Sequence, residues 1–140
     1  MKKAILYPDL SYQIVGCAYD VYNHLGPGHK EAFYQKAMSV ALKDMGIAFV
    51  EQKYYPLKFK NAVIGRQFCD FVVQNKVVVE IKKGNNFSLS NIHQVLEYLK
   101  VSNLKLAILF NFGTTNVAYK RIINEQNSNS DIRANSHFAD

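Results

Sequence analysis

The spacing of apolar positions along this chain changes character several times, and each change marks a switch of element type. Ile14, Val15, Cys17, Ala18, Val21, Tyr22 and Leu25 recur at three- and four-residue intervals. That is the stripe of an amphipathic helix, which Ser11 can cap and Gly26-Pro27-Gly28 ends. A second helix is expected from about Lys30 to Met45, closed by Gly46, with Phe33, Ala37, Val40, Ala41 and Met45 buried on one side. The period then falls to two. Ile47–Phe59 reads as a strand with Phe49, Tyr54, Tyr55 and Leu57 as apolar positions, and Pro56 argues for a sheet edge or a break.

After a turn at Lys60-Asn61, Ala62–Val73 and Val77–Lys82 form an expected antiparallel hairpin around Gln74-Asn75-Lys76. A third helix runs from a Ser88 or Ser90 cap to Ser102, carrying Ile92, Val95, Leu96 and Leu99. Leu104–Phe110 is a buried-strand pattern, and Gly113-Thr114-Thr115 turns into a last strand, Asn116–Ile123. The order α-α-β-β-β-α-β-β predicts a mixed α/β fold, one mixed sheet flanked by helices, as a single domain over residues 1–123. Residues 124–140, rich in Asn, Ser and Asp, are expected to be a polar, mobile tail.

Composition narrows the class. Apolar residues make up 49% of the 140, enough to build a core without disulfides. No apolar run is long enough for a membrane helix, and the N-terminus lacks a signal-peptide core, so the expected address is cytoplasmic, with no membrane partner. Cys17 and Cys69 fall in apolar patterns and read as small core residues, and the four histidines lack zinc-ligand spacing. The net charge is +6, and residues 50–100 hold eight Lys/Arg against four Asp/Glu. A basic middle segment suits a polyanion such as nucleic acid.

Candidate chemistry sits on the hairpin. Glu80 and Lys82 alternate on one strand, so their side chains leave the same face about 7 Å apart. Asp70 lies inside Phe68-Cys69-Asp70-Phe71-Val72, where an acid is costly without compensation. A Mg²⁺ ion between Asp70 and Glu80 would compensate it, with Lys82 aimed at the same spot. On spacing alone, a surface ion-pair face explains these residues as well. A shared site also demands one register. A two-residue turn would set Asp70 opposite Val79, whereas a three-residue loop or a bulge sets Asp70 opposite Glu80, stacking Phe71 with Val79 and Cys69 with Ile81, and Phe68 opposite Lys82.

The spacing Asp70-(nine residues)-Glu80-Ile81-Lys82 resembles the D…ExK core of the PD-(D/E)XK nuclease superfamily. Around it the chain is similar to the family named for the motif GxxExxY, here Gly28-His29-Lys30-Glu31-Ala32-Phe33-Tyr34 after Leu25-Gly26-Pro27. The likeness continues through Gln94-Val95-Leu96-Glu97-Tyr98-Leu99, Leu109-Phe110-Asn111-Phe112-Gly113 and Lys120-Arg121-Ile122, spanning roughly residues 10–123. The resemblance implies a restriction-endonuclease-like core in which Asp70, Glu80 and Glu31 hold Mg²⁺ (Mn²⁺ as a substitute) and Lys82 is the catalytic lysine. Gln94, with Tyr98 one turn on, would support the site, and Tyr34 would pack and hydrogen-bond. Glu31 also suits a helix N-terminus for dipole reasons, and Gln94 an ordinary exposed position. His93 and Glu97 read as a solvated pair. Cys69 departs from the superfamily's Pro, and His29 and Lys30 from commonly apolar positions. The implied activity is hydrolysis of phosphodiesters in nucleic acid, DNA ahead of RNA, with a homodimer compatible with cutting two strands. A non-catalytic nucleic-acid-binding module and a protein-interaction domain on the same fold stand as alternatives.

Overall fold

The computed structural model describes residues 5–125 and the backbone of 137–139. Its elements follow the expected order: α1 (Pro8–Leu25), α2 (Glu31–Asp44), β1 (Phe49–Phe59), β2 (Ala62–Val73), β3 (Val77–Lys83), α3 (Leu89–Ser102), β4 (Leu106–Phe112) and β5 (Val117–Ile123). A short β6 (His137–Ala139) pairs with β5. The sheet order is β1-β2-β3-β4-β5-β6, antiparallel except between β3 and β4, whose parallel pairing is bridged by α3. Of the expected tail, 126–136 and Asp140 lie outside the described residues. Asn124 is tied down, its amide on Lys105 O at 2.8 Å and its side chain on Leu99 O and Leu104 O. Among the described residues no helix is long and apolar enough to cross a membrane.

Both faces of the sheet are covered. Phe71, Val73, Val77, Val79, Ile81, Leu106, Ile108 and Phe110 pack under α1 and α2, while Val72, Val78, Ala107 and Leu109 pack under α3. Strands buried on two sides read as unbroken apolar runs, which is why Val77-Val78-Val79 and Leu106–Phe110 show no alternation. Glu80, on the face opposite Val77, Val79 and Ile81, is therefore buried as well.

Two helix readings also change. Helix α1 starts at Pro8, not after Ser11, because proline lacks the N–H that the first turn leaves unsatisfied and its fixed φ suits that position. Ser11 lies buried inside the helix with its hydroxyl unpartnered. In α2, Phe33, Val40 and Met45 are exposed, and Tyr34, Met38 and Leu42 form the core stripe instead, with Ala41 buried as expected. The helix is rotated to seat Tyr34, whose ring stacks on Phe112 at 4.5 Å and whose hydroxyl donates to Gly26 O at 2.7 Å. Tyr34→Phe should therefore cost about 1–2 kcal/mol, the loss of a buried hydrogen bond, and lower the melting temperature by roughly 3–8 °C. An unchanged melting temperature would mean that ring stacking alone fixes α2.

Candidate active site

The β2–β3 turn sets everything that follows. Gln74 and Asn75 both have positive φ (50° and 53°), and Lys76 N–H donates to Val73 O at 2.9 Å, the closure of a type I′ turn. Yet the ladder pairs Val73 with Val77, Val72 with Val78 and Phe71 with Val79, so Lys76 is an extra residue and the register is that of a three-residue loop. This is the register that a shared site for Asp70 and Glu80 requires.

Beyond Phe71–Val79 the backbone ladder stops and the two acids replace it. Asp70 N–H donates to Glu80 Oε2 at 2.9 Å, and Ile81 N–H donates to Asp70 Oδ2 at 2.7 Å. On the other side of β2, pairing with β1 skips Gln52 and Asp70 between Glu51–Phe71 and Lys53–Cys69, and Gln52 takes a positive φ of 48°. The kink reverses the facing of β2: Phe71 packs under α1 and α2, but Cys69 joins the α3 side. Cys69 therefore does not stack with Ile81, and the β2–β3 ladder ends before it could set Phe68 opposite Lys82. Asp70 occupies the kink. Its remaining oxygen, Oδ1, is approached by the side-chain amides of Gln35 from α2 and Gln52 from β1, both at 3.4 Å.

Glu31 opens α2 and reaches across to the end of β3, where its Oε1 accepts the Lys83 N–H at 3.2 Å. Asp70 and Glu80 are both 8% exposed, while Lys82 and Glu31 are half-buried at the rim. Burial raises Asp70 above the usual carboxylate range, and the Ile81 amide, Lys82 and Gln52 oppose the rise. Glu80 is pushed up to about 8, first by burial and next by Asp70, against the Asp70 amide and Lys82. Glu31 adds to the negative field on both. Lys82 forms no ion pair within 4 Å among the described residues, so its ammonium is not committed to a partner. Among those residues, too, no three of His, Cys, Asp and Glu stand close enough to hold a metal ion by themselves. Asp70 and Glu80 interlock directly, and Glu31 joins them only at electrostatic range.

Gln94 is exposed on α3, where its carbonyl accepts the Tyr55 hydroxyl at 3.4 Å, and no hydrogen bond links it to Asp70, Glu80 or Lys82. Tyr98 packs edge-on against Tyr55 at 4.5 Å, beside Cys69, and forms a buried floor behind Glu80. Burial pushes the Cys69 thiol and the Tyr55 hydroxyl each up to about 12, so neither ionises near neutrality. His93 and Glu97 are both exposed and unpaired with each other. Three residues near the acids escaped the sequence reading. Gln35 stands four positions after Glu31 on the same helix face and could have been found by that spacing. Gln52 gives no local signal. Asn111 is the one polar residue in an otherwise apolar strand; it pairs with Lys82 in the β3–β4 register, 3% exposed, its side-chain N–H₂ unpartnered.

No curated protein sequence matches this chain. A solved structure, that of SSO0001, is 13% identical with a TM-score of 0.45, over 85% of this chain and 79% of that one. The family model that matches, described as the PD-(D/E)XK nuclease superfamily, covers residues 8–122, from the first residue of α1 to the last residue but one of β5. A match of that extent takes in both helical layers and the acid-bearing hairpin together, and the chain belongs to the PD-(D/E)XK nuclease superfamily.

Proposed function

We propose that this protein hydrolyses phosphodiester bonds in nucleic acid, DNA in preference to RNA, with Mg²⁺ or Mn²⁺ held by Asp70 and Glu80. The observation that carries the reading is the interlocked acid pair: two carboxylates, each bound to the other's strand, at a place where like charge and burial raise both proton affinities. A divalent cation is the natural relief for such a pair, and its donor set is the hard oxygen set that Mg²⁺ prefers. Two protein carboxylates suffice, since Mg²⁺ commonly completes its octahedron with water and substrate phosphate. Glu31, already engaged with the Lys83 amide, fits a role through bound water. When bound, the ion would polarise the scissile phosphate and acidify a water.

The chain's own residues do the rest. Lys82 presents an uncommitted ammonium beside the acids, suited to orienting the attacking water and to stabilising charge that develops on the phosphate. Water adds to phosphorus, the bond to the leaving oxygen breaks, and that oxygen takes up a proton. Gln35 and Gln52 hold Asp70 in place through Oδ1. Gln94 acts at most through Tyr55 and the buried floor behind Glu80. The finer placement in the GxxExxY family rests on Gly28, Glu31 and Tyr34, and two buried free thiols suit a reducing cytoplasm. A homodimer would place two such sites for cleavage of both strands.

The test is a panel of single- and double-stranded DNA and RNA incubated with Mg²⁺, Mn²⁺ or chelator. Metal-dependent cleavage that disappears in Asp70→Asn supports the reading. Binding without cleavage under every metal would leave a nucleic-acid-binding module. Neither binding nor cleavage would favour a protein-interaction domain.

A further inference from the structure

We infer that the β1–β2 ribbon is a DNA arm that enters the major groove of a duplex beside the candidate active site. The inference rests on the nucleic-acid reading above and goes beyond it by naming the surface and the duplex form it fits. Past Tyr55, which is buried, both strands leave the core. Phe59, Val63 and Ile64 are 60%, 55% and 63% exposed. Such apolar exposure on a β-ribbon at a sheet edge normally invites strand addition. Here Pro56, the bulge at Leu57/Lys58 and the lysines on β1 discourage another strand from pairing. An occupant that needs no backbone ladder fits the surface better.

Charge selects that occupant. From Gln52 to Cys69 the ribbon carries Lys53, Lys58, Lys60 and Arg66 and not one acid. Facing alternates in register. Tyr55 and Cys69 point to the α3 side, so Tyr54, Phe68 and Arg66 point to the other, where Asp70 meets Gln35 of α2. On that side the Arg66 guanidinium lies over the Tyr54 ring at 4.7 Å and the Phe68 ring at 5.7 Å. Its plane is thus braced by two half-exposed rings, with no acid bonded to its N–H fork among the described residues. A pre-oriented fork of this kind suits a phosphate or the edge of a guanine. Arg66 and Asp70 are four positions apart on the strand, about 13 Å, or roughly four base-pair steps along a duplex. The ribbon would therefore contact the same DNA whose backbone reaches the acids.

Geometry favours B-form DNA. Its major groove, about 12 Å wide, admits a two-stranded β-ribbon, whereas the major groove of duplex RNA is too deep and narrow. The exposed tip, with Phe59 under Lys60 at 5.3 Å, offers an apolar contact for thymine methyl groups together with a cation for the backbone.

The experiment is fluorescence anisotropy without divalent metal, using a labelled 24-base-pair DNA duplex and an RNA duplex of equivalent sequence. The Lys58→Ala/Lys60→Ala/Arg66→Ala variant is compared with wild type and with Lys43→Ala/Lys100→Ala/Lys105→Ala, which removes equal charge elsewhere. The ribbon variant is expected to lose at least tenfold in DNA affinity, with a salt slope smaller by about two to three. The control should change less than threefold. Equal DNA affinity for wild type and the ribbon variant would overturn the arm while leaving the nucleic-acid reading intact. Tighter, ribbon-dependent binding of the RNA duplex would overturn groove insertion. No binding of either duplex by wild type would overturn the nucleic-acid reading itself. All three substituted side chains are exposed, so matching circular dichroism should show that the fold is kept.

Discussion

Replacing Lys82 by alanine is expected to slow Mg²⁺-dependent cleavage by about 10²- to 10⁴-fold while changing affinity for uncleaved DNA by less than about threefold. The split between rate and affinity follows from position. Lys82 stands half-buried next to Asp70 and Glu80, where it lowers the proton affinity of both, and the ribbon cations lie on other strands. Single-turnover cleavage measured alongside anisotropy separates the two effects. Lys82→Arg keeps the charge but spreads it over a larger planar fork, and it should recover only part of the lost rate. Full cleavage by Lys82→Ala would remove the lysine from the chemistry and leave the acids alone responsible.

The second large effect concerns stability without metal. Glu80 has a folded-state proton affinity raised from 4.5 to about 8, and Asp70 shifts in the same direction. A raised carboxylate value means that the folded state binds more protons than the unfolded chain between those limits. Stability is then fully present below about 4.5 and is lost as pH rises toward 8. At about 1.4 kcal/mol per unit, the loss from Glu80 is on the order of a few kcal/mol. Glu80→Gln keeps an oxygen to accept the Asp70 N–H but cannot ionise. It should melt several degrees above wild type at pH 8 and close to it at pH 4.5, in chelator. Adding Mg²⁺ at pH 8 should raise the wild-type melting temperature and narrow that gap. Wild-type stability that is flat or rising from pH 5 to 8, with Glu80→Gln the less stable protein, would contradict the buried-pair account.

How much of this was legible in the chain differs by element. Helix α3 was readable but for its cap, left open between Ser88 and Ser90; Ser88 accepts the Asn91 amide, and the apolar stripe faces the sheet. The β2–β3 register was readable because the two acids and the Phe71–Val79 pair constrain it together, although the Cys69–Ile81 pair expected beside them does not form. The face of α2 was not. Phe33, Val40 and Met45 form a plausible stripe by hydrophobicity, and only the contacts of Tyr34 with Gly26 and Phe112, far off in sequence, decide for the other side. The reversal of facing at Asp70 was hidden for a related reason: a kink shared by Gln52 and Asp70 leaves both strands' composition ordinary. Asn111 was visible as a residue but not as a buried one with an unpartnered amide.

The exchange of a backbone ladder for two carboxylates also governs how an inert version of this protein can be made. Alanine at position 70 would strip the Ile81 amide of its acceptor, and alanine at position 80 would do the same to the Asp70 amide. Each orphaned, buried N–H costs roughly 1–3 kcal/mol and loosens the hairpin that carries the remaining groups. Alanine scanning of the acids would therefore report local unzipping as readily as lost chemistry. A silent capture reagent for trapping natural targets is better built by changing the lysine and leaving both carboxylates to stitch the strands together.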